Sequence, residues 1–204
     1  MKTIKTTIAI LVLSILTFSC SKEDAPAPTP VKQPSAAVSF ENTTEMPILD
    51  ALYVLGPDEP TTTTSNINVT ANGTILDLKK MIFEMNVEHT YQLDLRFTLI
   101  APDGTESLFI RNIGQDKNYV STNKLRFCAT FTNAMPNQNI DIPAGDYKES
   151  QKTGSTPVLL PIFSTLQDKS ITGNWKLKVS DHDNSDTGSI KSWKLIFETG
   201  ALNQ

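Results

Sequence analysis

Three aspartates near the end of the chain are placed so that they could bind a metal ion. Asp181, Asp183 and Asp186 fall within six residues, and Gly188 follows them. Carboxylates this close repel one another, and a bound cation relieves the repulsion. Calcium prefers several oxygen ligands on a flexible loop, and Gly188 would permit a sharp turn. The segment therefore predicts a calcium site.

The same segment has a second interpretation that needs no metal. It could be a solvated, aspartate-rich hairpin whose side chains cap their own backbone. The spacing does not fit the EF-hand loop, because Asp186 stands where that loop needs glycine and Ser192 where it needs glutamate. Zinc is not expected, since the sequence has no cluster of Cys and His. The calcium site and the capped hairpin both remain open from the sequence.

The sequence offers no arrangement suited to nucleophilic catalysis. A Ser or Cys nucleophile needs a histidine base in reach, and the two histidines are His89 and His182. The chain has no Gly-x-Ser-x-Gly motif. Cys128 is expected to be a free, packed thiol, although the alternation around it places it on the polar side of a strand. We therefore expect no enzymatic activity.

The first residues predict a targeting peptide. Lys2 and Lys5 precede a mostly apolar stretch that is too short for a membrane span and ends close to Cys20. This pattern is typical of a bacterial lipoprotein signal, in which residues 1–19 are removed and Cys20 carries the lipid anchor. A plain secretory peptide cleaved nearby is the alternative. We expect a membrane-anchored lipoprotein in the outer membrane of a Gram-negative bacterium, exposed at the cell surface.

Residues 20–40 are expected to form the lipidated N-terminus and a linker. The four residues from Ser21 to Asp24 are similar to a surface-export signal, or are simply the polar start of the linker. An extended spacer follows, because it carries four prolines, Pro26, Pro28, Pro30 and Pro34. Loss of two lysines with the signal peptide lowers the formal net charge from −4 to −6. No nucleic-acid partner is expected, since basic residues are not clustered.

From about residue 40 the chain alternates between apolar and polar residues, which is typical of half-buried strands. The clearest alternating segments are 81–88, 93–99, 125–131, 175–179 and 193–198. At most one short helical turn is expected, within residues 158–169. Many short strands of this kind predict an antiparallel sandwich or barrel.

Turn signals separate these segments. Asn72-Gly73 is a dipeptide typical of hairpins, and Pro102-Asp103-Gly104 supplies proline and glycine where a tight turn needs them. Residues 184–188 give a third turn. Trp175 and Trp193 begin alternating segments, so we interpret them as core residues rather than as platforms for sugar rings.

Two groups of motifs resemble one family. The first comprises His89-Thr90, Asp94-Leu95 and Pro102-Asp103-Gly104-Thr105. The second comprises Gly173-x-Trp175-x-Leu177-x-Val179-x-Asp181, Asp186-x-Gly188 and Trp193-x-Leu195, and Gly145-Asp146-Tyr147 fits a middle element. Their order and spacing over residues 45–198 resemble the P/Homo B domain of proprotein convertases. The resemblance implies an all-β, jelly-roll-like antiparallel β-sandwich with a galactose-binding-like architecture, expected over residues 41–204.

The resemblance also implies roles. His89 would hold a strand end by hydrogen bonds, and Asp94 would add a fourth calcium ligand if the two motif groups meet in space. The family usually follows a subtilisin-like catalytic domain, which carries the catalytic triad and which this chain is too short to contain as well. The expected function is that of a non-catalytic partner that stabilises or targets a serine endopeptidase or another surface protein. The alternative is a carbohydrate-binding or adhesive sandwich with a glycan ligand.

Overall fold

The structure, a computed structural model, describes residues 34–53, 60–111, 124–135, 142–148, 150–153, 156–158 and 163–203. The predicted lipidation site Cys20, the predicted signal peptide and most of the predicted linker lie outside these residues. Within these ranges, no helix has the length and apolar character needed to cross a membrane.

Short strands make up most of the described chain, as the alternating segments predict. Their bounds are β1 Val38–Asn42, β2 Met46–Ile48, β3 Thr61–Val69, β4 Thr74–Ile75, β5 Met81–His89, β6 Leu95–Ile100, β7 Glu106–Arg111, β8 Lys124–Phe127, β9 Gly145–Tyr147, β10 Ser150–Thr153, β11 Thr156–Val158, β12 Gly173–Asp181, β13 Gly188–Phe197 and β14 Leu202–Asn203. Single turns of 3₁₀ helix occupy Leu78–Lys80, Gln92–Asp94 and Ser164–Leu166. The last of them falls where one helical turn is predicted.

Two six-stranded sheets form the layers of a sandwich. The first has the order β1-β13-β5-β8-β9, with β2 also paired to β13, and the second has the order β11-β10-β7-β6-β12-β3. The pairings β8–β9 and β7–β10 are parallel, and the other pairings within the two sheets are antiparallel. The predicted all-β sandwich is therefore confirmed, and the parallel pairs are a feature that the alternation does not predict.

The core lies between the two sheets and is rich in aromatic rings. Phe83 on β5 and Phe109 on β7 meet across the layers edge to face, with ring centroids 4.9 Å apart. Trp175 and Trp193 are 0% and 1% exposed, so the prediction that they are core residues is confirmed. The Nε1 atom of Trp193 donates a hydrogen bond to Oγ of Ser65 at 2.9 Å, from one sheet to the other. The Trp193 ring thus fills the core while its N–H has a hydrogen-bond partner.

Two predicted turns have different outcomes. The tight turn predicted at Pro102-Asp103-Gly104 is confirmed and joins β6 to β7: the Gly104 N–H donates to the Ala101 carbonyl at 2.9 Å, and Gly104 adopts φ +86°. The hairpin predicted at Asn72-Gly73 is wrong, because β3 pairs with β12 whereas β4 pairs with β14. The dipeptide leads the chain from β3, in the second sheet, to β4, and these two strands do not pair with each other.

Two local expectations are also revised. Strand β8 ends at Phe127, so the alternation no longer applies to Cys128, which is 1% exposed. Its Sγ donates to the Lys79 carbonyl at 3.3 Å, and the predicted free, packed thiol is confirmed.

At the N-terminal side, the Leu202 N–H donates to Oγ of buried Ser35. Packing against the sandwich therefore begins several residues before the predicted boundary at residue 41.

Candidate functional site

The two predicted motif groups meet at one end of the sandwich. Strand β5 ends at His89 in the first sheet, and β12 ends at Asp181 in the second. Asp181 lies opposite Leu95 in the register of β12 with β6, which places Asp94 beside the end of β12. The antiparallel pairing therefore brings together residues that are about ninety positions apart in the sequence.

A buried histidine–aspartate pair connects the two sheets at this end. Nε2 of His89 lies 3.1 Å from Oδ2 of Asp181, and both side chains are 0% exposed. Nδ1 of His89 lies 2.7 Å from the carbonyl oxygen of Tyr91. The Tyr91 N–H is also 3.2 Å from Nδ1, but the shorter contact to the carbonyl requires a proton on Nδ1. The geometry fits an imidazolium that donates at both nitrogens.

The electrostatics of His89 agree with that geometry. Burial lowers the pKa of His89, but the hydrogen bonds to Asp181 and to the Tyr91 carbonyl, with the charges of Asp181 and Asp186, outweigh it and raise the pKa above its usual value. The structural role implied for His89, holding a strand end by hydrogen bonds, matches these contacts. With both ring nitrogens engaged, His89 has no free nitrogen to take a proton from a nucleophile.

Gly188 does not form the sharp turn predicted for it and instead allows two strands to approach closely. It lies opposite His89 in the register of β13 with β5. A Cβ at Gly188 would stand 2.2 Å from the Glu88 carbonyl oxygen and 2.5 Å from Cδ2 of His89. Glycine is needed here because the neighbouring strand approaches so closely. The left-handed backbone of the connection is at Ser185, with φ +81°.

The segment between β12 and β13 is not a hairpin. Its two flanking strands belong to different sheets, so it crosses the end of the sandwich, and the hairpin part of the second interpretation is wrong. The capping part is correct: the Asp183 N–H donates to Oδ1 of Asp181, and the Asn184 N–H donates to Oδ1 of Asp183. Asp186 accepts a hydrogen bond from Oγ1 of Thr90 at 2.7 Å.

Negative charge accumulates around this crossing. Burial, followed by the charges of Asp183, Asp181 and Asp186, raises the pKa of Asp94 to about 7. The four predicted ligands therefore lie near enough to one another to interact electrostatically. Repulsion of this kind is what a cation would relieve.

The arrangement is nevertheless not a finished ligand sphere. Among the described residues, no group of three or more His, Cys, Asp or Glu side chains is placed to hold a metal ion. Asp181 uses one oxygen for His89 and the other for the Asp183 N–H. Binding of calcium would therefore require rearrangement of the crossing, and the calcium site stays a prediction.

One participant in this region was not identified from the sequence. Oδ2 of Asp50 accepts a hydrogen bond from the Ser185 N–H at 3.0 Å, and Oδ1 of Asp50 is buried without a partner among the described residues. The two residues are 135 positions apart. No local pattern could have signalled the contact, because it depends on how the strands are distributed between the sheets.

The protein is therefore a β-sandwich domain in which a buried histidine–aspartate pair joins the two sheets at one end. The model of the proprotein convertase P-domain family matches residues 78–197, more than half of the chain, and the chain belongs to that family. The matched region contains both sheets' central strands and the His89–Asp181 pair. The P-domain is an accessory domain, so the chain is a non-catalytic member of a protease-associated family.

The similar proteins include one from Streptomyces mobaraensis and one from Aeromonas sobria. The chain is 28% identical over 158 residues to a transglutaminase-activating metalloprotease of Streptomyces mobaraensis, a match that covers 78% of this chain and 15% of that protein. A serine protease of Aeromonas sobria has a solved structure with 13% identity and a TM-score of 0.37, covering 80% of this chain and 27% of that one. A complex of that protease with its chaperone gives 14% identity and a TM-score of 0.36, covering 82% and 27%. These scores are too low to add to the family match.

Proposed function

We propose that this protein is an accessory partner of a separately encoded serine endopeptidase, which it stabilises or targets. The observation that carries the proposal is the P-domain match over residues 78–197. The relative from Streptomyces mobaraensis is a metalloprotease, so it supports an association with proteolysis but not with the serine class in particular, and this chain spans 15% of that protein. The chemistry of the site agrees, because both nitrogens of His89 are engaged in holding the sandwich together.

Affinity capture tests this function directly. Tagged protein with its anchor would be recovered from native envelope, and its partners would be identified by mass spectrometry. We expect an endopeptidase to be enriched over a capture with a heat-unfolded sample of the same protein. The half-life of that protease at elevated temperature should increase when the purified P-domain protein is added. Capture of non-proteolytic proteins alone, or an unchanged half-life, would contradict the proposal.

We further propose that the protein acts at the cell surface, attached through a lipid on Cys20. The support is the sequence pattern around Cys20 and the proline-rich stretch after it. A Cys20→Ala variant should move from the membrane fraction to the soluble envelope fraction. Protease treatment of intact cells should remove the wild-type domain, and survival of the domain would indicate an inward-facing location.

The carbohydrate alternative needs an exposed aromatic residue. Trp175 and Trp193 are buried, whereas Tyr53 is 75% exposed and has exposed Leu49 and Leu52 near it in the chain. A glycan array with wild-type protein and a Tyr53→Ala variant separates the two functions. Specific glycan binding that disappears in the variant would favour the adhesive function over the protease partnership.

A further inference from the structure

Two arginines face each other on the outer surface of the second sheet. Arg96 on β6 lies opposite Arg111 on β7 in the strand register. Like charges in directly opposed positions of a sheet are destabilising. Their outward position follows from alternation, since the flanking Leu95 and Phe97 are buried in the core. The fold therefore places two positive charges side by side where the packing does not require them.

Neither arginine is neutralised within the described part of the chain. The cations that form ion pairs there are His89, Lys124, Arg126, Lys169, Lys178, Lys191 and Lys194. Nε of Arg96 is buried and has no hydrogen-bond partner among the described residues. Burial, followed by the charge of Arg111, lowers the pKa of Arg96, and no carboxylate contributes to the shift. An unpaired donor of this kind is costly unless a ligand satisfies it.

The positive charge continues along the neighbouring strand. Ser180 on β12 lies opposite Arg96 in the register. Lys178 and Lys176 therefore follow on the same face at intervals of about 7 Å. Lys178 is paired with Glu106 at 2.8 Å, whereas Lys176 is exposed and takes part in none of the ion pairs of the described residues. Three cations without an ion-pair partner among the described residues thus lie on one face, in a chain whose formal net charge is −4.

The rest of this face adds hydrogen-bonding groups and one carboxylate, Glu106 on β7, which is already paired with Lys178. Strand β3 places Thr62, Thr64, Asn66 and Asn68 beside the lysines, at positions paired with Ser180, Lys178, Lys176 and Asn174. Nε2 of His182, which follows β12, is also buried without a partner among the described residues. Burial and the charge of Arg96 lower the pKa of His182, so the neutral ring is favoured. Apart from the Lys178–Glu106 ion pair, the described residues of this face therefore combine separated cations with neutral donors and acceptors.

We propose that the outer face of the second sheet is a docking surface for an acidic, extended segment of a protein partner, whose carboxylates are bound by Arg96, Arg111 and Lys176. Arginine matches the planar geometry of carboxylates and can bind them through two hydrogen bonds. The separation of Lys176 from the arginines, about 13 Å along the strands, suits a segment of several residues better than one small anion. The described residues of this face include no aromatic ring for base stacking, and this favours a peptide over nucleic acid.

Fluorescence anisotropy with a labelled, acetylated eight-residue peptide of alternating Glu and Ser tests the surface, using the full chain at 20 mM and 200 mM NaCl. We expect binding at low salt that weakens at high salt, because exposed charges are screened. A variant with R96Q and R111Q should bind at least tenfold more weakly. A matched variant with K124Q and R126Q removes the same charge from the first sheet, where both residues are already ion-paired, and should change the affinity less than twofold.

Folding of the variants needs a separate check, since Arg96 is partly buried. Arg111 is exposed, so R111E can be measured alone and should weaken peptide binding without changing the melting temperature. Equal losses in the two double variants would overturn the proposal, because they would indicate a general charge effect. Absence of peptide binding by the wild type, or tighter binding of an eight-residue oligothymidine at the same arginines, would also overturn it. The test does not involve a protease, so it is independent of the function proposed above.

Discussion

Nε2 of His89 lies 3.1 Å from Oδ2 of Asp181, and this fully buried contact joins the ends of strands β5 and β12 in opposite sheets. Like the aromatic contacts in the middle of the sandwich, this pair links residues of the two sheets, but through polar atoms. A buried ion pair contributes less than its Coulomb energy, because both charges lose their hydration. Loss of one partner costs more stability than loss of both, because the remaining partner is left buried and unpaired.

Removal of one member of the pair should therefore destabilise the protein strongly. We expect Asp181→Leu to lower the free energy of unfolding by about 3–5 kcal/mol, as measured by urea denaturation. Glu41→Gln, which removes a surface contact of 3.9 Å to Lys194, is the matched control and should have no measurable effect. The double variant His89→Leu with Asp181→Leu should lose less than Asp181→Leu alone. Additive losses would show that the two residues act separately.

The stability of the protein should fall as pH rises through neutrality. Asp94 has a folded pKa of about 7 against a usual 3.8, so between these values the folded state binds more protons than the unfolded state. Its stabilising contribution is complete below pH 3.8 and disappears as pH rises through about 7. The raised pKa of His89 acts in the same direction, because its contribution is complete below the usual pKa of 6.5 and is lost as pH rises through its higher folded pKa.

Asp94→Asn isolates the first of these two contributions. After allowance for screening by solvent, we expect the loss of stability from pH 4.5 to pH 8 to shrink by about 1–2 kcal/mol in the variant. Urea denaturation in the presence of a chelator gives the measurement without interference from calcium. An identical pH profile for wild type and Asp94→Asn would show that Asp94 is not buried among like charges.

Two glycine variants distinguish close approach from backbone strain. Gly188→Ala would place a Cβ 2.2 Å from the Glu88 carbonyl oxygen, so strands β5 and β13 must separate, and we expect a cost of about 3 kcal/mol. Gly104→Ala meets nothing within 4 Å, but its φ is +86°, and we expect about 1 kcal/mol. Chemical denaturation of both variants gives the comparison. Equal losses of stability in the two variants would mean that strands β5 and β13 can move apart with little loss of free energy.

Calcium should raise the melting temperature if the predicted site at Asp94, Asp181, Asp183 and Asp186 forms. Calcium at about one hundred times its dissociation constant would stabilise the folded state by about 2.7 kcal/mol. Thermal melts in calcium and in chelator measure the effect. Asp183→Asn should reduce it, because the variant removes the charge of one predicted ligand at an exposed position. An unchanged melting midpoint in wild-type protein would eliminate the site.

Features that depend on local sequence were predictable. The alternating segments give strands β5, β6, β12 and β13, because residues of one strand alternate between core and solvent. The same periodicity correctly placed Trp175 and Trp193 in the core. Pro102 and Gly104 correctly predict a tight turn, since their backbone preferences are local. Local chemistry also predicted the side-chain capping between β12 and β13.

The distribution of strands between the sheets was not predictable from these patterns. Alternation says which side of a strand is buried but not which strand lies beside it. Residues 182–187 therefore looked like a hairpin, although β12 and β13 belong to opposite layers. Cys128 was placed on the polar side because the sequence does not show that β8 ends at Phe127.

The sequence by itself determined an all-β domain of the P-domain family and its core tryptophans, and it left open whether the two motif groups meet. Only the tertiary structure decided these contacts: His89 meets Asp181, Gly188 makes room for His89, and Arg96 faces Arg111. The physical reason is the range of the interactions. Turn preferences and alternation act over a few residues, whereas ion pairs and strand register join residues brought together by folding.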